Sequence, residues 1–259
     1  MTDKIALFRS LHIPGDPLVL FNIWDAGSAR AVDGAGAKAI ATGSYGVAEA
    51  QGFADGEAFA LGDALRNLGR ILGVTALPVS LDMESGYGAS AEEVGQSAAM
   101  ARDAGAAGIN IEDQMPGAAT LTPVIEQARR IKAAAASGLF VNARCDALRG
   151  HPHKDHGSEL VEAVLERARA YADAGAGGLF VPFTTNRKAI AAICEGSPLP
   201  VNILWSPALS GGFTSSDELA ELGVARISHG HKPWAAAMAW LGSAAQRVFA
   251  GSAPTYDAS

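Results

Sequence analysis

Two carboxylates stand two positions apart in the stretch SLDMESGYG (80–88), at the end of an apolar run. Like charges in a buried place repel each other, so Asp82 and Glu84 need either a bound cation or a retained proton. Residues two apart on a strand share a face, so Asp82 and Glu84 point the same way. Glu112 ends the next apolar run, which follows one helical stretch later. We therefore expect these three side chains to converge on one site.

A hard divalent ion is the cation that such a site favours. The candidate ligands are carboxylates without a nearby histidine, and oxygen-only sites suit Mg2+ or Mn2+ better than Zn2+. Because Mg2+ usually retains several waters, most of these carboxylates would reach it through water. The alternative is that the carboxylates cap helices or pair with arginine at the rim of the fold.

Other polar residues also follow apolar runs. Arg144 carries a planar fork that suits the carboxylate or phosphate of an anionic substrate. An ion pair of Arg144 with Glu112 or Asp82 is the alternative, and both arrangements can hold at once. The stretch TGSYG (42–46) offers backbone N–H groups and the Ser44 hydroxyl in a turn, which can hold a carboxylate.

Histidines near the end of the chain are the candidate acid or base. His229 and His231 lie in SHGHKP, directly after the last apolar run, and histidine titrates near neutral pH. A solvated loop is the alternative for both.

The segment LSGGF (209–213) is a candidate phosphate-binding loop. The lack of a second glycine-rich loop after the last apolar run weakens this interpretation.

The elements that would position these residues alternate along the whole chain. The candidate strands are 18–24, 39–43, 78–83, 108–112, 139–144, 178–183, 200–205 and 225–228. Most are continuously apolar, as in strands covered on both faces, and Ala-rich helical stretches separate them. Gly36, Gly105 and Gly175 each end a helical stretch in a Gly-Ala repeat, which fits a glycine C-cap.

Eight strand–helix units predict a single (β/α)8 TIM barrel over residues 1–259. A doubly wound open sheet is less favoured, because no GxGxxG follows the first strand. In a barrel, chemistry lies where the strands end, and the polar residues collect there.

Composition limits the remaining function classes. The chain has 259 residues, 49% of them hydrophobic, and a net charge of −7, which argues against a nucleic-acid partner. Two cysteines cannot form a disulfide framework and indicate a reducing compartment. The first residues lack the apolar core of a signal peptide, and no apolar run reaches membrane-spanning length. We expect a cytoplasmic protein with no membrane partner.

Four motifs in order resemble the isocitrate lyase / phosphoenolpyruvate mutase superfamily. They are IWDAGSARAVDGAGAKAIATGSYGVAEAQGFAD, SLDMESGYG, GINIEDQ and VNARCDA, and the resemblance runs from about residue 18 to 246. Members are Mg2+-dependent enzymes of 2-oxo acids with a barrel fold. The resemblance implies that Asp82 binds Mg2+ directly, while Asp55, Glu84 and Glu112 hold its waters.

The resemblance also implies a substrate site and an assembly. Ser44, Tyr45 and Gly46 would hold the carboxylate of a small 2-oxo acid. Arg144 would face its oxo or carboxylate oxygens, and Asn202 would line the pocket. The family tends to form tetramers in which the last helix packs on a neighbouring subunit. This implies a homo-oligomer, a dimer or tetramer, with the C-terminal helix and tail (233–259) at the interface and the helical stretch 233–249 swapped.

One loop departs from the superfamily pattern. Lyases of the superfamily carry Lys-x-Cys-Gly-His after the fourth strand, whereas EDQMPGAATLTPVIE (112–126) has no Cys, His or Lys. Mutases and phosphonopyruvate hydrolases place a Lys-Thr-Asn set there, which is missing too. Decarboxylation of a 2-oxo diacid such as oxaloacetate needs only the metal as Lewis acid and fits this loss.

Two alternatives to decarboxylation stay open. Retro-aldol cleavage would need a base, for which His231 and His229 are the candidates. Phosphonate chemistry, or a non-catalytic member that binds a 2-oxo acid such as 2-oxoglutarate, are the rival functions.

Overall fold

The computed structural model describes residues 3–205 and 213–254. Its strands are β1 (Leu18–Leu20), β2 (Ile40–Ala41), β3 (Val79–Asp82), β4 (Gly108–Glu112), β5 (Phe140–Arg144), β6 (Gly178–Val181), β7 (Val201–Leu204) and β8 (Arg226–Ser228). They form one parallel sheet in the order β1-β8-β7-β6-β5-β4-β3-β2. A parallel bridge between Ile23 and Thr42 joins the two ends of that order. The sheet therefore closes, and the predicted (β/α)8 barrel is confirmed.

Helices fill the connections between the strands. They are α1 (Lys4–Ser10), α2 (Ala26–Gly34), α3 (Ser44–Ala50), α4 (Leu61–Leu72), α5 (Ala91–Asp103), α6 (Val124–Ala135), α7 (Ser158–Asp173), α8 (Arg187–Gly196), α9 (Ser216–Ala220) and α10 (Lys232–Phe249). A short 3₁₀ turn, His153–Asp155, precedes α7. Among the residues with described coordinates, no helix is long and apolar enough to span a membrane. Residues 209–212 of the glycine-rich segment 209–213 lie outside the described residues.

The repeated Gly-Ala pairs end helices as predicted. Gly36, Gly105 and Gly175 have φ angles of +92°, +100° and +94°, in the left-handed region. A side chain is disfavoured there, so glycine lets the chain leave the helix and enter the next strand within a few residues.

The apolar residues separate into an outer and an inner layer. Strand residues such as Ile109 and Val141 point outward and join the main core, which the helices cover. At the amino end of the barrel, Phe8 from α1 packs edge-on against Phe140, with ring centroids 5.4 Å apart. That end is thus closed by apolar side chains, which leaves the carboxyl end of the strands for polar groups.

A buried polar layer lies inside the barrel above this apolar plug. Its members are Asn110, Asn142, Asn202, Arg226 and Ser228. Asn142 donates to Asn110 Oδ1 at 2.9 Å, and Asn202 donates to Ser228 Oγ at 3.1 Å. Arg226, which is fully buried, donates from Nη2 to Asn110 at 3.4 Å. Burial lowers the pKa of Arg226 to about 9, with Asp82 opposing the change.

Candidate active site

A cavity of about 270 Å³ opens at the carboxyl ends of the strands. It brings together six of the predicted site residues: Ser44, Tyr45, Asp55, Asp82, Arg144 and His231. Asn110 and Ser228 from the buried polar layer also line it. Of the other predicted residues, Gly46, Glu84, Glu112, Asn202 and His229 lie behind this lining. The cavity is therefore polar, with carboxylates and cations in one space.

Asp82 is fixed at the end of β3 by two neighbouring contacts. Its backbone N–H donates to Thr42 Oγ1 at 2.9 Å, and its Oδ2 accepts the N–H of Ser44 at 3.0 Å. Ser44 begins α3, so the predicted turn over 42–46 was wrong: this segment starts a helix. The first amide of that helix is taken by a carboxylate of the protein, which orients Asp82 toward the cavity.

Glu84 lies beyond β3 in a left-handed conformation, with φ +51°. Its Oε2 accepts the N–H groups of Gly56 and Glu57 at 2.7 and 2.6 Å, and its Oε1 accepts the Tyr87 hydroxyl at 3.2 Å. Glu84 also lines a cavity of about 10 Å³ together with Asp82. That volume holds about one water. Burial raises the pKa of Glu84 to about 7, and the charges of Asp82 and Asp55 add to the effect.

Glu57 completes a reciprocal lock between two loops. Its Oε1 accepts the N–H groups of Ser85 and Tyr87 at 3.1 and 3.0 Å, while Glu84 holds the backbone of Glu57 in return. Glu57, Glu84 and Tyr87 are the non-glycine residues with positive φ in the described part of the chain. Such conformations cost about 1–3 kcal/mol each and persist where the surroundings impose them. The lock holds the loop that carries Asp55.

Arg144 is held by two carboxylates of the protein. Its Nε and Nη2 donate to the two oxygens of Asp146 at 2.7 and 2.8 Å, and its Nη1 lies 2.5 Å from Glu112 Oε2. The alternative of a pair with Glu112 therefore holds, and Asp146 is the second partner. Although burial opposes its charge, Asp146 and Glu112 raise the pKa of Arg144, so the guanidinium stays protonated. Burial raises the pKa of Glu112 to about 8, against the opposing effect of Arg144.

Asp113 anchors this arrangement from the helix side of the sheet. Its Oδ1 accepts the N–H of Asp146 at 2.8 Å, and its Oδ2 accepts from Arg167 at 3.0 Å and from Tyr171 at 2.9 Å. Arg167 and Tyr171 belong to α7. The network ties the end of β4, the end of β5 and α7 together, and so fixes the residue that orients Arg144.

The two candidate histidines occupy different places. His231 lines the cavity, with its ring centroid 5.2 Å from that of Tyr45. Burial lowers the pKa of His231, and the positive charge of Lys232 lowers it further. His229 packs near Phe21 and Trp205, at 5.2 and 5.7 Å between centroids. Burial also lowers the pKa of His229. His231 is therefore the histidine with access to a bound ligand.

Gly46 and Asn202 support the site from behind. A Cβ at Gly46 would lie 3.0 Å from the Cβ of Trp234, so glycine allows α10 to pack on α3. Asn202 is 1% exposed and bonded to Ser228, one level beneath the cavity.

The carboxylates fit a cation that keeps its own waters. In the described chain, no three His, Cys, Asp or Glu side chains gather closely enough to hold a metal by themselves. Asp82 and Asp55 nevertheless face one cavity with oxygen atoms only, and burial raises the pKa of Asp55, with Asp82 adding to it. Burial raises the pKa of Asp55, Glu84 and Glu112, and neighbouring carboxylates add to the effect, so a cation bound among them would favour their charged forms. This donor set suits Mg2+ held by few carboxylates and several waters.

Comparison with known proteins agrees with this fold. Residues 8–249 match the family model described as phosphoenolpyruvate phosphomutase. A solved structure of a candidate phosphonomutase from Burkholderia cenocepacia J2315 superposes with a TM-score of 0.90 at 47% identity, covering 95% of this chain and all of that one.

Two similar proteins are named as a lyase and a decarboxylase. 2-Methylisocitrate lyase of Salmonella typhimurium LT2 is 32% identical over 74% of this chain and 70% of its own length. Oxaloacetate decarboxylase of Rhodopseudomonas palustris BisA53 is 34% identical over 75% of this chain and 65% of its own length.

Proposed function

Because the chain belongs to the phosphoenolpyruvate phosphomutase family, an enzyme family of lyases, mutases and hydrolases, we propose that it is a Mg2+-dependent carbon–carbon lyase of a small 2-oxo or 2-hydroxy diacid. One observation carries the proposal. The carboxylates Asp55 and Asp82 face the guanidinium of Arg144 and the imidazole of His231 across a single cavity. This arrangement suits a ligand that bridges a cation and an arginine.

In this proposal the carboxylates hold the metal. Asp82 would bind Mg2+ directly, and Asp55, Glu84 and Glu112 would hold its waters. When bound, Mg2+ supplies a Lewis acid for the 2-oxo group and neutralises the carboxylates. Asp82 lines the cavity and accepts the Ser44 amide through Oδ2, and Oδ1 has no hydrogen-bond partner among the described residues, which supports this assignment.

Three residues would hold the substrate. Ser44 and Tyr45 would hold its carboxylate, and Arg144 its oxo or carboxylate oxygens. Gly46 and Asn202 would act indirectly, by packing behind these groups, because neither reaches the cavity.

Decarboxylation of an oxaloacetate-like acid is the simplest reaction for this site. The bond between C3 and the distal carboxylate breaks, its electron pair moves toward the 2-oxo oxygen, and a proton then adds to C3. Arg144 stays charged and stabilises the negative charge that develops on the oxygens. Retro-aldol cleavage of a 2-hydroxy diacid would instead need a base for the hydroxyl proton, and a largely neutral His231 suits that role.

Turnover with a panel of acids tests the proposal. We expect the protein with Mg2+ to release CO2 from oxaloacetate or an aldehyde or oxo acid from a 2-hydroxy diacid, measured by coupled assay. If the reaction is retro-aldol cleavage, the variant His231→Ala should lower kcat by about 100-fold or more, while ligand binding by calorimetry persists. The variant His229→Ala should lose less, because its ring lies away from the cavity. Wild-type rates in both variants would remove the histidines from the mechanism.

Phosphonate chemistry is the second candidate, favoured by the 47% identity to a candidate phosphonomutase. The loop after β4 argues against it, because it lacks the Lys-Thr-Asn set of those enzymes. Release of phosphate from phosphonopyruvate, or its conversion to phosphoenolpyruvate, would replace the lyase proposal.

We also propose that the protein is a homo-oligomer in which α10 packs on a neighbouring copy. Trp240 and Leu241 on α10 are 57% and 53% exposed. On the outside of the barrel, Val19 of β1 and Phe21 just after it are 42% and 49% exposed, beside a cavity of about 530 Å³ that α2 also lines. Barrel strands are normally covered by a helix, so an apolar helix face and an uncovered strand face fit each other.

Light scattering after size exclusion tests this assembly. We expect a dimer or tetramer for the wild type, and a shift to monomer when Trp240 and Leu241 are both changed to glutamate, because two charges would be buried in an apolar interface. The exposed polar Gln246→Glu on the same helix is the control and should not change the mass. A monomeric wild type contradicts the proposal.

Two free cysteines, Cys145 and Cys194, support a cytoplasmic location.

A further inference from the structure

A second arginine lines the cavity, and the mechanism above does not use it. Arg149 follows β5 by five residues, and its side chain is 50% exposed. Its guanidinium lies 5.2 Å from the ring centroid of Phe183, and that of Arg144 lies 5.5 Å from the same ring. Phe183 thus has two guanidinium groups around it at the cavity wall, and stacking on the ring limits where each can move.

The two arginines differ in how far the protein neutralises them. Arg144 forms a bidentate pair with Asp146 and a further pair with Glu112. Arg149 reaches Asp146 only at 3.4 Å, through the Nη1 that it also uses for Gln114. Within the described residues, its Nε and Nη2 have no hydrogen-bond partner. Arg149 therefore carries the less compensated positive charge of the pair.

The loop after β4 positions this arginine. Gln114, in that loop, accepts from Arg149 Nη1 at 2.7 Å through its Oε1. Its Nε2 donates to the carbonyl of Ala118 at 2.9 Å, so the amide cannot turn without losing one of the two bonds. The loop that lacks lysine and cysteine thus has a different use: it fixes a cation from the next loop at the cavity wall.

We infer that Arg149 binds the distal carboxylate of the substrate and makes the site selective for 2-oxo diacids over 2-oxo monoacids. The inference rests on the proposed function, in which Arg144 and the metal side hold the 2-oxo carboxylate end. A diacid has a second carboxylate. The Nε and Nη2 atoms of Arg149, at the cavity wall beside Phe183, can donate to both of its oxygens. Gln114 is the positioning residue of this contact.

The contact makes a specific kinetic prediction. In decarboxylation the distal carboxylate leaves as CO2, so a bond from Arg149 stabilises the bound substrate more than the transition state. Arg149→Gln should therefore raise the KM for oxaloacetate about ten- to hundredfold, while kcat stays unchanged or rises. Gln114→Met should raise KM in the same direction but less.

Calorimetry with Mg2+ separates the role of Arg149 from the proposed function. Oxaloacetate and pyruvate are the probes, because they differ only by the distal carboxylate; where oxaloacetate is turned over, its binding is followed by KM and that of pyruvate by its inhibition constant. We expect Arg149→Gln to weaken oxaloacetate binding by tenfold or more and pyruvate binding by less than about twofold. Arg129→Gln, an exposed arginine on α6, is the matched control and should change neither.

Three results would overturn the inference. Equal losses for both acids, no loss for either, or a parallel fall of kcat would each show that Arg149 does not bind the distal carboxylate. Failure of the wild type to bind either acid would overturn the proposed function together with it. If the wild type binds oxaloacetate without turning it over, the binding comparison still decides the role of Arg149. Thermal melts of each variant exclude misfolding as the cause.

Discussion

Asp82→Asn should reduce Mg2+-dependent binding of a 2-oxo acid about a hundredfold or more, and Asp82→Ala should abolish it. Asp82 lines the cavity and is held there by Thr42 on its backbone and Ser44 on its side chain. Asparagine keeps an oxygen for the Ser44 amide but loses the charge. Since even outer partners of metal ligands cost about 10- to 100-fold in affinity when lost, a direct ligand should cost at least as much.

Two readouts without turnover measure this effect. Calorimetry reports Mg2+ and oxo-acid binding directly, and a thermal melt reports whether Mg2+ still raises the midpoint, because a ligand of the folded state stabilises it. Asp103→Asn, at the exposed end of α5, is the control and should behave as the wild type. A folded Asp82→Asn variant with unchanged Mg2+-dependent binding would remove Asp82 from the metal assignment.

The barrel was predictable because its causes are local. Strands covered on both faces need continuous apolar runs, and each helix that turns back into a strand needs a residue that tolerates positive φ. The runs and Gly105 or Gly175 carry those signals in the sequence itself. The start of α3 depends instead on a distant contact. Ser44 after Gly43 is equally compatible with a turn, and the bond to Asp82 that favours the helix comes from 38 residues away.

The polar layer inside the barrel has a signal in the sequence, but only when several strands are compared. Asn110, Asn142 and Asn202 each sit one residue after an apolar position within a strand, and Arg226 and Ser228 alternate with Ala225 and Ile227. In the sheet, Asn110 pairs with Asn142 and Asn202 with Arg226. Polar residues at one level of several strands predict a polar interior beneath the site, a pattern that reading one strand at a time cannot show.

The lock between the loops had no sequence signal. Glu57 stands in GFADGEAF, where it reads as an exposed loop residue, and its partners Ser85 and Tyr87 lie 28 and 30 residues along the chain. Its left-handed conformation is set by those contacts, not by its residue type. Side-chain contacts between distant loops depend on the closed barrel, so they follow from the fold and cannot precede it.

Arg144→Lys should weaken 2-oxo acid binding about ten- to hundredfold while Mg2+ affinity changes by less than about threefold. Lysine keeps the positive charge but cannot donate in parallel to both oxygens of Asp146 and also reach Glu112, as the guanidinium does. The charge beside the carboxylates is thus retained, and the planar donor geometry that faces the ligand is lost. Some stability should be lost as well, because Asp146 is buried and its bidentate partner is gone.

The size of the two binding losses decides between a ligand role and a structural one for Arg144. If Mg2+ and the oxo acid lose affinity equally, the ion pairs with Glu112 and Asp146 explain Arg144 without substrate contact. Arg129→Lys, an exposed helix arginine paired with Glu126, controls for the substitution itself. Asp146→Asn adds a second test, because it keeps Arg144 but removes the charge that orients its fork. If Arg144 binds substrate, Asp146→Asn should weaken oxo-acid binding less than Arg144→Lys does, since the guanidinium and its donors remain.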